Sequence, residues 1–141
     1  MACYWDSSAL LALIFREPGA KEARAAVSRG GLPGYTSFFT SIEMEAAYAR
    51  RVAEGALNKE ELPNLRLQAK RLEAALVVVW PDESVVADSK RLVLELGLRP
   101  ADALQAASAL LVARAAPKTQ FASLDDRLNR AAQAAGLKPA W

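Results

Sequence analysis

Four carboxylates stand out by position. Asp6, Glu43, Asp102 and Asp125 each fall where a helical pattern begins, and all but Asp102 follow closely on a strand-like run. Carboxylates are also the acid–base groups that the composition leaves. The 141 residues contain no histidine, which excludes serine and cysteine triads of the usual kind, His-based zinc sites and cleavage by paired imidazoles. A single cysteine, Cys3, excludes an intrachain disulfide and a zinc site built from several thiolates. Gly30, Gly31 and Gly34 lack the Lys-Ser/Thr ending of a phosphate loop and the spacing of a dinucleotide fingerprint, so they read as a turn.

Several anions in one cleft repel each other and are gathered chiefly to hold a cation, and oxygen ligands select hard ions such as Mg²⁺ or Mn²⁺. Taken singly, each acid has a plainer explanation, because helix N-termini favour Asp and Glu through capping and the helix dipole. Glu43 is the clearest case, since Thr40-Ser-Ile-Glu43 fits a capping box. Asp82, which also follows a strand-like run, is read as an N-cap only. Their joint placement favours a site: in an open parallel sheet, ligands bind outside the carboxyl ends of the strands near a topological switch point, and Asp6 and Asp125 are expected there.

The elements that must position these acids follow from apolar periodicity and breakers. Strands are expected over Met1–Trp5, Tyr35–Phe39, Leu76–Trp80, Thr119–Ser123 and Leu137–Trp141, with the Leu76 run buried on both faces. Helices are expected through Leu10–Ile14, over Ala20–Ser28, from Thr40, over about Asn58–Ala75, and from Val85 to Leu96 before Gly97. A further helix opens at Pro100, with Leu104, Ala107, Leu110 and Leu111 on its apolar side, and the last covers Arg127–Ala135 before Gly136. Strands alternating with helices predict a three-layer α/β/α sandwich with a mostly parallel central sheet, in one domain spanning residues 1–141.

Composition is 52% hydrophobic and 24% charged, ordinary for a folded domain. The apolar stretch Ala9–Phe15 is too short for a membrane span and has no basic segment before it, so neither a signal peptide nor a membrane helix is expected. A reducing cytoplasm is the expected compartment. Lys and Arg number 18 against 16 Asp and Glu, so gathering four acids in one cleft leaves the remaining surface clearly basic and suited to a polyanion.

The pieces Asp6-Ser-Ser-Ala-Leu-Leu, Thr40-Ser-Ile-Glu43, Pro100-Ala-Asp102-Ala-Leu-Gln-Ala-Ala and Phe121-Ala-Ser-Leu-Asp125-Asp-Arg-Leu resemble, in order and spacing, those of the PIN-domain nucleases, particularly the VapC-type toxins. The resemblance extends over essentially the whole chain. It implies Mg²⁺ or Mn²⁺ dependence, endonucleolytic cleavage of RNA by water, and a homodimer neutralised by a small antitoxin. It carries the catalytic role to Asp6, Glu43, Asp102 and Asp125, with metal on Asp6, Asp102 and Asp125. Ser7, Ser123 and Asp126 are the expected supporting residues. Gln105 departs from the pattern, since many relatives carry His there, and an effect on substrate contacts is expected. The competing readings are a non-catalytic PIN-fold RNA-binding or scaffold protein and an aspartyl phosphatase; the latter needs an acid where Ser8 stands.

Overall fold

The computed structural model describes residues 2–141. Met1, placed by the sequence in the first strand, lies outside them. The strands β1 (Cys3–Trp5), β2 (Gly34–Ser37), β3 (Leu76–Val79), β4 (Gln120–Ala122) and β5 (Lys138–Pro139) form one sheet in the order β3-β2-β1-β4-β5, with every pairing parallel. Parallel neighbours require crossovers. These are supplied by α1 (Ser7–Phe15), α2 (Ala20–Ala26), α3 (Thr40–Ala53), α4 (Leu62–Glu73), α5 (Glu83–Leu96), α6 (Pro100–Ala115) and α7 (Asp126–Ala134).

The chain steps outward from β1 to β2 and β3, then returns to the other side of β1 for β4 and β5. Because crossovers keep one hand, that reversal sends the later helices to the opposite face. Trp5 accordingly packs with Leu10, Met44, Tyr48 and Leu65, from α1, α3 and α4. Tyr4, its neighbour on the pleat, packs with Val85, Leu92, Phe121 and Leu128 on the α5–α7 side. The three-layer α/β/α sandwich follows. The central strand is sealed on both faces: the Tyr4 ring stacks on Phe121 at 5.8 Å, and the Trp5 indole N–H donates to the Gly31 carbonyl at 2.9 Å.

Three expectations are corrected. The Leu76–Val79 run is an edge strand and not one buried on both faces: it pairs only with β2, and Val77 is 57% exposed. A continuous apolar run reports β-propensity, and the sheet order decides how many helices reach it. On α6, Ala103, Ala106, Ala107 and Ala109 are fully buried, while Leu104, Leu110 and Leu111 are only half-buried against the core. The expected start of α4 near Asn58 is a separate 3₁₀ turn, Lys59–Glu61, and Pro63 sits in the helix's first turn, where proline is tolerated.

β2 opens at Gly34, where a Cβ would stand 2.7 Å from the carbonyl oxygens of both Cys3 and Gly31. Backbone cannot yield as a flexible side chain does. Gly34→Ala is therefore expected to lower stability by about 1–3 kcal/mol, seen as a lower urea midpoint at unchanged slope. An unaltered midpoint would show that the chain is not held this closely at β2.

Candidate active site

The carboxyl ends of β1 and β4 lie side by side where the chain order reverses, the place where an open α/β sheet offers a crevice. Asp6 follows β1 there and is only 3% exposed. It caps α1: Oδ1 accepts from the Ala9 N–H at 3.2 Å and from the Ser8 hydroxyl at 2.7 Å. Its Oδ2 accepts from the Ser123 hydroxyl at 2.8 Å, on the turn after β4. Ser8 Oγ in turn accepts from the Leu124 N–H at 2.9 Å, and Ser123 Oγ from the Asp125 N–H at 3.1 Å. Two serines thus stitch the Asp6 turn to the Asp125 turn. Ser123 is among the expected supporting residues, whereas Ser8 is not. Its signal is the Asp-x-Ser spacing, which recurs at Asp82, where Ser84 donates to Oδ1 at 2.7 Å.

Glu43 does not sit in a capping box. The N-cap of α3 is Phe39, which makes no side-chain cap bond. The Thr40 hydroxyl turns inward instead, 2.7 Å from that of Thr36. Thr36 gives its proton to the Trp5 carbonyl at 2.7 Å, so Thr40 must be the donor between the two. The occupant that draws Thr40 and Glu43 inward is Gln105 of α6, 1% exposed. Its Oε1 accepts from the Tyr4 phenol at 2.7 Å, which fixes the amide's orientation. Its Nε2 then donates to Thr40 Oγ1 at 2.9 Å and to Glu43 Oε1. Gln105 is therefore a buried tie from β1 and α6 to Glu43.

Electrostatics relate the four acids. Burial raises the Asp6 carboxyl from 3.8 to about 6, against the opposing bonds from Ser8, Ser123 and Ala9, with Asp125 pushing the same way. Burial raises Glu43 from 4.5 to about 7; Gln105 and Ser7 oppose this, while the charges of Asp6 and Asp102 add to it. Asp102, in the first turn of α6, is raised by burial and then by Asp125, opposed by Arg99 and Arg127. Repulsion thus runs from Asp6 to Asp125, Asp102, Glu43 and back to Asp6, a closed ring. Asp82 is the internal control. It makes the same cap bond, from the Val85 N–H at 2.9 Å, with the same serine two residues on, and because it is exposed those two bonds lower its carboxyl instead of being outweighed by burial.

Among the described residues, no three acids stand close enough to enclose an ion unaided. Any ion held by these carboxylates would therefore keep several of its own waters, as Mg²⁺ can. Asp126 stands apart, exposed in the first turn of α7 and lining a neighbouring cleft with Trp141.

A family model for the PIN domain matches residues 3–134. The chain belongs to the PIN-domain family. No curated protein matches it by sequence. Its PIN fold resembles that of PAE2754 from Pyrobaculum aerophilum at a TM-score of 0.67, with 18% identity over 99% of this chain and 84% of that one. It also resembles a chain of VapBC-1 from nontypeable Haemophilus influenzae, at a TM-score of 0.60 and 18% identity over 98% and 96% of the two chains. A chain of a toxin–antitoxin complex from Klebsiella pneumoniae gives 0.60 and 16% over 88% and 87%. At these identities the likeness is one of fold.

Two outcomes are expected. Unfolded carboxyls ionise near pH ~4, whereas folded Asp6 and Glu43 hold their protons up to about 6 and about 7. Over that window the native state binds more protons, so the stability present below the unfolded values is lost as pH rises through the folded ones. The metal-free melting temperature should fall between pH 5 and pH 8, with Asp6 contributing on the order of 1–2 kcal/mol of lost stability over that range. Asp6→Asn should flatten the slope, and an equally steep mutant would contradict the assignment. Separately, Gln105→Leu strands the Tyr4 hydroxyl and Thr40 and should destabilise the protein by about 2 kcal/mol or more, measured by denaturant titration; a silent change would break the proposed tie.

Proposed function

We propose that this PIN-domain protein is a divalent-metal-dependent endoribonuclease that hydrolyses RNA phosphodiester bonds, acting as the toxin of a toxin–antitoxin pair. The observation that carries the reading is the placement of Asp6, Glu43, Asp102 and Asp125 at the switch point of the sheet, with Asp6 bonded to the Ser123 turn that precedes Asp125 and Glu43 bonded to Gln105, three residues after Asp102. Like charges gathered at a partly buried edge need a cation, and the donor set is oxygen only. Asp6, Asp102 and Asp125 would hold Mg²⁺ or Mn²⁺ in part through the ion's own waters. Once bound, the ion lowers the pKa of a water and offsets charge on the phosphate oxygens.

The protein's own groups do the rest. Asp6 is fixed by three donors and presents an oriented carboxylate. Glu43, held at Oε1 by Gln105 and raised to about 7, takes the proton of the attacking water on its other oxygen. Arg99 and Arg127 flank Asp102 and meet the phosphates of the strand. Attack by water leaves a 5′-phosphate on the downstream fragment.

For the partner, an apolar groove of about 430 Å³ lies between α1, α2 and α4, lined by Leu13, Ile14, Val27, Leu32 and Leu72 with Arg24 at the rim. It suits the apolar face of an amphipathic antitoxin segment. A homodimer is proposed to cover the β3 edge, where Val77, Val78 and Trp80 are exposed. Action in the cytoplasm is part of the same reading; none of the described helices is long and apolar enough to cross a membrane.

Asp102→Asn tests the site. Mn²⁺ should stabilise the wild type by about 2.7 kcal/mol at a hundredfold excess over Kd, seen as a higher melting temperature, and EDTA should stop RNA cleavage reversibly. The mutant should lose the metal response and orders of magnitude of activity while its metal-free stability holds or rises. As a simple first-turn acid, Asp102 would tolerate Asn within about 1 kcal/mol. A mutant that keeps both the metal response and the cleavage rate would overturn the assignment.

A further inference from the structure

Beside the acidic ring, a polar cleft of about 310 Å³ is lined by Ser123, Asp126, Asn129, Arg130, Gln133 and Trp141. It shares a wall with the ring: Ser123, which donates to Asp6 Oδ2 at 2.8 Å, accepts at its carbonyl from the Asn129 amide at 2.9 Å. The indole of Trp141, 39% exposed, is presented from anchored backbone. The Ala140 N–H donates to the Phe121 carbonyl at 2.9 Å, and the Ala140 carbonyl accepts from Arg29 at 3.0 Å. Arg130 makes no ion pair among the described residues. Gln133 lies one helical turn further along the same side of α7.

A flat aromatic face, an exposed amide and an unpaired guanidinium match the face of a base, its edge and a phosphate. The aliphatic groove between α1, α2 and α4 offers no such mixture. We propose that this cleft is a nucleotide subsite for single-stranded RNA. The base of a nucleotide adjoining the scissile phosphate stacks on Trp141, Gln133 meets its edge, and Arg130 meets a phosphate. Asp126 is the one acidic side chain in the lining, so the phosphate lies toward Arg130. The inference rests on the ribonuclease reading and adds to it the place where the strand is gripped.

The test uses a fluorescein-labelled single-stranded oligoribonucleotide of mixed sequence, with cleavage kinetics in Mn²⁺ and anisotropy binding in EDTA. Trp141→Ala should raise KM and Kd about tenfold or more with kcat little changed, and Trp141→Phe should restore most of the loss. Arg130→Ala should weaken binding and reduce the salt slope by about one. All three variants should keep the wild-type Mn²⁺-induced rise in melting temperature. Unchanged KM and Kd in Trp141→Ala overturn the subsite and leave the nuclease reading standing. So does a variant that weakens a complex with a partner protein but not RNA binding, or one that loses the metal response together with cleavage. A wild type that neither binds nor cleaves the oligonucleotide overturns both.

Discussion

The buried charge of Asp6 is the constraint on which the rest of the molecule depends. A carboxylate removed from water is tolerated only when its lone pairs are met, and here they are met by one backbone N–H and two serine hydroxyls from different turns. That requirement fixes where β1 must end and requires β4 to run parallel beside it. It also requires the chain after β4 to turn so that Ser123 faces inward. The sheet order β3-β2-β1-β4-β5 is the topology that lets these two turns meet at a crevice. The hydrogen bonds do not bring Asp6 back to an ordinary acidity, and that residual instability is what a cation would relieve.

The polar chain from Trp5 through Thr36, Thr40 and Gln105 to Tyr4 and Glu43 answers a second constraint. It threads polar atoms through a region that hydrophobic burial alone would fill. Such networks are costly when incomplete and specific when complete. Here every atom of the Gln105 amide has an assigned partner, so α3 and α6, from opposite faces of the sheet, are held at one relative position over its edge. Glu43 and Asp102 owe their mutual approach to that tie.

The fold was readable because alternation of strand and helix patterns, glycine stops and Pro100 are all local signals. Even so, β3 was misjudged, since an apolar run such as Val77-Val78 does not disclose whether a second helix layer reaches it. The four acids were readable as helix-start residues and through family resemblance. What separated Asp6 from Asp82 was not legible, because both have the same cap bond and the same following serine, and only tertiary burial distinguishes them. Gln105 was legible as an unusual residue, but its tying role was not, because its partners lie 62 to 101 residues away in sequence.

The alanine-lined face of α6 has a consequence of its own. Ala103, Ala106, Ala107 and Ala109 have no rotamers to freeze, so packing them costs no side-chain entropy. A helix seated on leucines can rock as those side chains hop between wells, whereas one seated on methyl groups is located almost backbone against backbone. The element that carries both Asp102 and Gln105 therefore behaves as a stiff rail. Its rigidity comes from having little to adjust, and the angular precision of the acidic ring is inherited from that absence of freedom.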